Sequence, residues 1–202
     1  MTTVRSGRCE LTAEAVIDHP LGPNTVDDWL AAEPPADGSH LELILGYLHV
    51  APPPSGSHQH AAFELAVLLR NAIRVAKRHD LHVLPAVGVR ISSYFRTALI
   101  PDVVVVDVDV HHVSFAPENV LLAVEVWSPG NTRAERETKM AAYAAAGVPH
   151  VWIVEAPRGE PVKFWGYRLG ETEYRQEIYA GNGETITAPG PVPVEVDTSA
   201  LT

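Results

Sequence analysis

The sequence predicts a mixed α/β (α+β) sandwich whose core order is helix, strand, strand, strand, helix, strand. Three observations point to it. The runs Ile100 to Val108 and Leu121 to Trp127 are apolar on both faces, as central strands covered on each side must be. Ala62, Leu65, Ala66, Leu69, Ile73 and Ala76 recur at helical spacing ahead of them. A second helical stretch ending at Ala146 leads into a further strand-like run, His150 to Glu155.

Taken in order, residues 1–24 lack periodicity and carry the breakers Pro20, Gly22 and Pro23, so they read as an N-terminal extension to one domain over 25–202. Thr25 to Ala32 is a short capped helix, with Asp27 and Asp28 at its positive end and Pro34-Pro35 stopping it. Leu41 to Val50 reads as a strand pair kinked at Gly46. After Pro52-Pro53-Pro54-Ser55-Gly56, Ser57 is the expected N-cap of the first long helix, whose other face carries His60, Glu64, Asn71, Arg74 and Arg78. Val83 to Ile91 is the next expected strand. Asn131 or Thr132 opens the second helix, which Gly147 and Pro149 end. Val162 to Leu169 and Glu173 to Ala180 suggest a C-terminal β-hairpin, with one more strand near Val192 to Val196.

Composition bounds the function. The 202 residues hold 25 acidic against 15 basic side chains, a net charge of −10, which disfavours tight sequence-independent grip on nucleic acid. The single cysteine, Cys9, excludes an intrachain disulfide and a thiolate zinc cluster. No signal-like N-terminus and no long apolar run is present, so the cytoplasm is the expected location and no membrane contact is expected.

Two carboxylates stand out within the apolar runs. Asp102 begins one strand and Glu125 lies near the end of the next, and a buried carboxylate costs several kcal/mol unless compensated. The short non-helical link between the strands favours an antiparallel pair, which brings the start of one beside the end of the other. Asp102 and Glu125 then share one sheet edge, from which the second helix starts; Lys139, two turns into that helix, can reach back toward them. A divalent cation shared by the two acids, Mg²⁺ or Mn²⁺, with an ammonium nearby, is the chemistry of phosphodiester hydrolysis. Each residue also has a plainer reading. Asp102 suits a strand-entry turn after Pro101, Glu125 could pair structurally with Arg133, Arg136 or Lys139, and Lys139 could be a solvated i,i+4 partner of Glu135. Trp127 and Trp152 read as packing residues. His58 and His60 lie about 200° apart on a helix, which argues against joint ligation of one ion.

Pro101-Asp102, Glu125-Val126-Trp127-Ser128-Pro129, Glu135-x-x-x-Lys139, Tyr143 and Gly147-Val148-Pro149-His150-Val151-Trp152-Ile153-Val154 together resemble the Uma-type restriction endonucleases, a bacterial family within the PD-(D/E)XK nuclease-like superfamily. Leu41-Glu42-Leu43-Ile44-x-Gly46 and Pro52-x-Pro54-x-x-x-His58 match the same pattern. The resemblance implies a restriction-endonuclease-like core and a Mg²⁺- or Mn²⁺-dependent endonuclease acting on nucleic acid, DNA first. It implies Asp102 and Glu125 as metal ligands and Lys139 as a catalytic lysine displaced from the usual position, which Trp127 occupies here. Glu42 and His58 are implied as accessory residues bordering the site. A homodimer fits an enzyme whose one site cuts one strand. The alternative from another class is a catalytically silent binding or assembly module that keeps the nuclease fold, which the acidic balance favours.

Overall fold

Thr25 caps α1 (Val26–Ala31) reciprocally: its hydroxyl accepts the Asp28 N–H, and the Asp28 carboxylate accepts the Thr25 N–H at 2.8 Å. This computed structural model describes residues 21–128, 130–156 and 159–202. Most of the expected N-terminal extension, with Cys9, and Pro129 of the motif lie outside the described residues.

β1 (His40–Ile44) and β2 (Tyr47–Ala51) form the expected antiparallel pair around Gly46. Leu45 and Gly46 take φ of +50° and +82°, the left-handed pair that a two-residue hairpin turn requires. Gly46 is needed there for a second reason: a Cβ would sit 2.4 Å from the carbonyl oxygen of Gly22.

The first long helix, α2 (Gly56–Val75), starts earlier than expected. Its N-cap is Ser55, whose side chain accepts the His58 N–H at 3.3 Å, whereas Ser57 only exchanges a hydroxyl contact with Ser55. The extended backbone that follows the proline run satisfies the cap geometry at Ser55 first.

Val83 to Ile91 is not one strand. It divides into β3 (His82–Pro85) and β4 (Gly88–Ser92), which join different sheets, with Ala86 between them at a φ of +46°. Alternation of side chains cannot reveal such a switch, because both halves remain half-buried. The expected strand Ile100 to Val108 is shortened to β6 (Val103–Val106), and an unexpected strand, β5 (Thr97–Leu99), precedes it. Pro101, with no N–H to donate, falls between the two. β7 (Ser114–Phe115) and a short 3₁₀ turn occupy the expected loop before β8 (Val120–Trp127). Thr132 caps α3 (Arg133–Ala145), and β9 (His150–Glu155), β10 (Lys163–Leu169) and β11 (Tyr174–Ala180) follow as expected. β12 (Thr185–Ala188) was not apparent from its sequence; it pairs with β13 (Val194–Asp197).

The strands make a six-stranded mixed sheet in the order β11-β10-β9-β8-β6-β3, a five-stranded sheet in the order β2-β1-β5-β4-β7, and the β12–β13 pair. Leu65, Leu69 and Ile73 of α2, with β12–β13, cover Val103, Val105, Leu122 and Val124 on one face of the larger sheet. Tyr143 of α3, with Val89 and Leu99 of the smaller sheet, covers Val104, Val106, Ala123 and Ile153 on the other. That two-sided cover explains the unbroken apolar runs. β6 and β8 are antiparallel with Val103 opposite Val124, while β8 and β9 are parallel.

Candidate active site

β6 and β8 place the two carboxylates. The register that sets Val103 opposite Val124 continues toward Asp102 and Glu125, so both acids come to the same rim of the sheet. Asp102 sits just before its strand. Its Oδ2 accepts the backbone N–H of Val126 at 2.7 Å, and its Oδ1 lies 2.7 Å from Nε2 of His58. Asp102 is thereby pinned from two sides, by the chain next to Glu125 and by the first turn of α2.

Glu125 lies on the opposite side of β8 from Val124 and Val126, facing α3 rather than α2. It is 4 % exposed. Its Oε1 accepts the Tyr143 hydroxyl at 2.6 Å and its Oε2 lies 3.3 Å from Nζ of Lys139. Tyr143 and Lys139 are one helical turn apart, so one face of α3 delivers both donors to one carboxylate.

Lys139 is buried at 8 % exposure and also bonds Glu42, at 3.0 Å to Oε1 and 2.9 Å to Oε2. Glu42, from β1 in the other sheet, accepts the Ile100 N–H at 2.8 Å as well. The solvated pairing of Lys139 with Glu135 is therefore overturned: Glu135 accepts from Asn131 at 3.0 Å, and Lys139 bridges two buried acids. Arg133 and Arg136, the other candidate partners for Glu125, pair with Glu137 and Glu155. Glu42 and His58, expected only at the border, are both bonded into the cluster. Tyr143 is the residue whose contact the sequence concealed; its spacing of four from Lys139 was the available signal.

The electrostatics follow from burial. Desolvation pushes the Glu125 carboxyl up to about 7, helped by the Glu42 and Asp102 charges and opposed by the Lys139 ammonium and the Tyr143 hydroxyl. For Lys139 burial disfavours the ammonium, yet the adjacent Glu125 and Glu42 outweigh it and raise its pKa, so the ammonium persists. Burial first, then the Glu125 charge, raises Tyr143 well above the usual phenol, which keeps it a proton donor in its hydrogen bond.

Glu42, His58, Asp102, Glu125 and Lys139 line a cleft of about 300 Å³ together with Trp127, Ser128 and the proline run before α2. Trp152 is a packing residue as expected, fully buried and donating its indole N–H to Pro189, whereas Trp127 is half-buried on the cleft wall beneath the Arg136 guanidinium, 4.7 Å from the ring centre. His60 is exposed while its near neighbour His58 faces Asp102, in keeping with their separate helix faces. Among the described residues no three His, Cys, Asp or Glu side chains converge to hold an ion unaided. A hard cation such as Mg²⁺ is commonly held by one or two carboxylates and otherwise by water, and the Asp102 and Glu125 oxygens on an open cleft fit that demand.

The layered fold belongs to the nuclease-like fold class. A solved structure titled as a putative nuclease belonging to DUF820 from Anabaena variabilis ATCC 29413 shares the fold at a TM-score of 0.64 and 17% identity, covering 89% of this chain and 97% of that one. The Uma2 family model, described as "Putative restriction endonuclease", matches residues 26–200, and the chain belongs to that family. Among curated proteins none matches it. None of the described helices is long and apolar enough to cross a membrane.

Proposed function

We propose that this protein is a Mg²⁺- or Mn²⁺-dependent endonuclease hydrolysing phosphodiester bonds, DNA being the first substrate to test, with its site in one domain over residues 25–202. The observation that carries this reading is the Lys139 ammonium buried against Glu42 and Glu125, beside an Asp102 that is bonded to the chain one residue past Glu125. A structural ion pair needs one acid; here a lysine and four carboxylates border one open cleft in a member of a restriction-endonuclease family.

Asp102 and Glu125 would hold the cation, which supplies Lewis acidity toward a phosphoryl oxygen and lowers the pKa of an attacking water. The other roles fall to this chain's own groups. Lys139 stays charged, so it serves as an electrostatic donor to the charge that grows on phosphorus-bound oxygens rather than as a base. Glu125, with its pKa near neutrality when no cation is bound, is poised to exchange a proton for one. Tyr143 fixes the orientation of that carboxylate, and His58 does the same for Asp102.

The experiment is nicking of supercoiled DNA with Mg²⁺ or Mn²⁺ by the wild type and by Asp102→Ala, Glu125→Ala and Lys139→Ala. Cleavage by the wild type and its loss in all three variants supports the enzyme. Absence of cleavage together with no thermal shift on adding Mn²⁺ favours the silent binding module, the reading to which the net charge of −10 lends weight.

A further inference from the structure

The cleft wall combines an unusual charge with one half-buried aromatic ring. Glu42, Asp102, Glu125 and Glu135 line it, and Lys139 is the sole lysine or arginine among its described lining residues. That lysine is already committed to Glu42 and Glu125. A polyanion is usually gripped by lysines and arginines on its phosphates, and this wall has none to spare. The sequence-tolerant alternative is stacking of a base on an aromatic face.

Trp127 is the one Phe, Tyr or Trp among the described lining residues. Two positions after Glu125 on β8, it projects to the same side of the strand as that carboxylate. Its ring is held from behind by Arg136, which is itself anchored to Glu155 at 2.5 Å and to the Ser128 carbonyl at 3.1 Å. Both terminal guanidinium nitrogens are thus engaged, and Arg136 is not among the described residues that line the cleft. The cleft volume, about 300 Å³, is that of a small-molecule pocket.

We propose that Trp127 is a stacking platform for one unpaired base, so that this site takes single-stranded nucleic acid, or an unpaired nucleotide, in preference to continuous duplex. In a duplex each base face is covered by its neighbours, and a base reaches a protein ring only when unpaired or extruded. The inference rests on the nuclease reading above and narrows its substrate class.

The test is titration of the full chain with a fluorescein-labelled thymidine 12-mer and with its duplex. Ca²⁺ replaces Mg²⁺ to hold phosphate with little turnover, and anisotropy and tryptophan fluorescence are both read. The single strand is expected to bind more tightly than the duplex and to quench tryptophan emission in the wild type. Trp127→Phe keeps an aromatic face and retains affinity but removes that quench. Trp127→Leu keeps the apolar bulk, so folding is checked by its melting curve, and binds roughly 5- to 100-fold more weakly. Unchanged affinity in Trp127→Leu, a quench that survives in Trp127→Phe, or duplex binding as tight as single-strand binding overturns the proposal. Cleavage with Mg²⁺ is scored separately. Trp127-dependent binding without cleavage overturns the nuclease reading and leaves the platform standing. Wild-type cleavage rates on single strands in Trp127→Leu do the reverse.

Discussion

Lys139 reaches across the molecule to Glu42, its Nζ 2.9 Å from Oε2, although the two residues are 97 apart in sequence and belong to a helix and to the smaller sheet. That contact locks α3 to β1, and because Glu42 also accepts the Ile100 N–H, it fixes the segment leading into Asp102. Glu42→Ala leaves a buried ammonium one acid short and a backbone donor without its acceptor. The expected cost is about 3 kcal/mol or more, read as a lower urea midpoint, with DNA nicking reduced as well. An unchanged midpoint would show the bridge to be idle.

Tyr143→Phe removes one hydroxyl and leaves the ring that packs in the core. Loss of a hydrogen bond to a carboxylate is expected to cost roughly 1.5–3 kcal/mol in urea unfolding. Because the hydroxyl lowers the Glu125 pKa, that pKa is expected to rise further, and half-maximal Mn²⁺ binding at neutral pH to move to higher concentration.

The raised Glu125 pKa has a defined sign in stability. The group binds its proton more tightly folded than unfolded, so its favourable contribution is full below its ordinary value of 4.5 and is lost as pH rises to about 7. In EDTA, wild-type stability is expected to fall across that window by an amount on the order of 3 kcal/mol relative to Glu125→Gln. Parallel pH profiles for the two proteins would contradict it.

Cation binding is expected to offset that loss. At a Mn²⁺ concentration near 100 times its Kd, the wild type gains about 2.7 kcal/mol, a melting shift of roughly 5–10 °C for a chain of this size. Asp102→Ala and Glu125→Ala are expected to show no shift. Trp127→Phe is expected to keep it, since the indole supplies no ligand.

Gly88 tests the fold away from the cleft. A Cβ there would lie 2.5 Å from Cη2 of Trp29, whose indole N–H is fixed on the Leu41 carbonyl at 2.6 Å. Gly88→Ala is expected to lower stability by about 1–3 kcal/mol, the usual cost of overpacking, without touching Mn²⁺ binding.

What was legible in the chain by itself is what local pattern encodes. The apolar runs around Val103 and Val124 announced strands covered on both sides, Thr132 and Gly147 bracketed α3, and the short link between β6 and β8 implied the antiparallel pairing that brings Asp102 toward Glu125. The family motifs pointed to Lys139 as well. Three things awaited the tertiary structure. The change of sheet at Ala86 and the place of β5 between β1 and β4 depend on which strands lie alongside, and side-chain alternation is blind to that. The bonds of Glu42 to Lys139 and of His58 to Asp102 span 97 and 44 residues, and no local spacing carries such contacts. The raised Glu125 pKa likewise arises from desolvation between α3 and the two sheets, a property of enclosure that no stretch of residues possesses before the layers close.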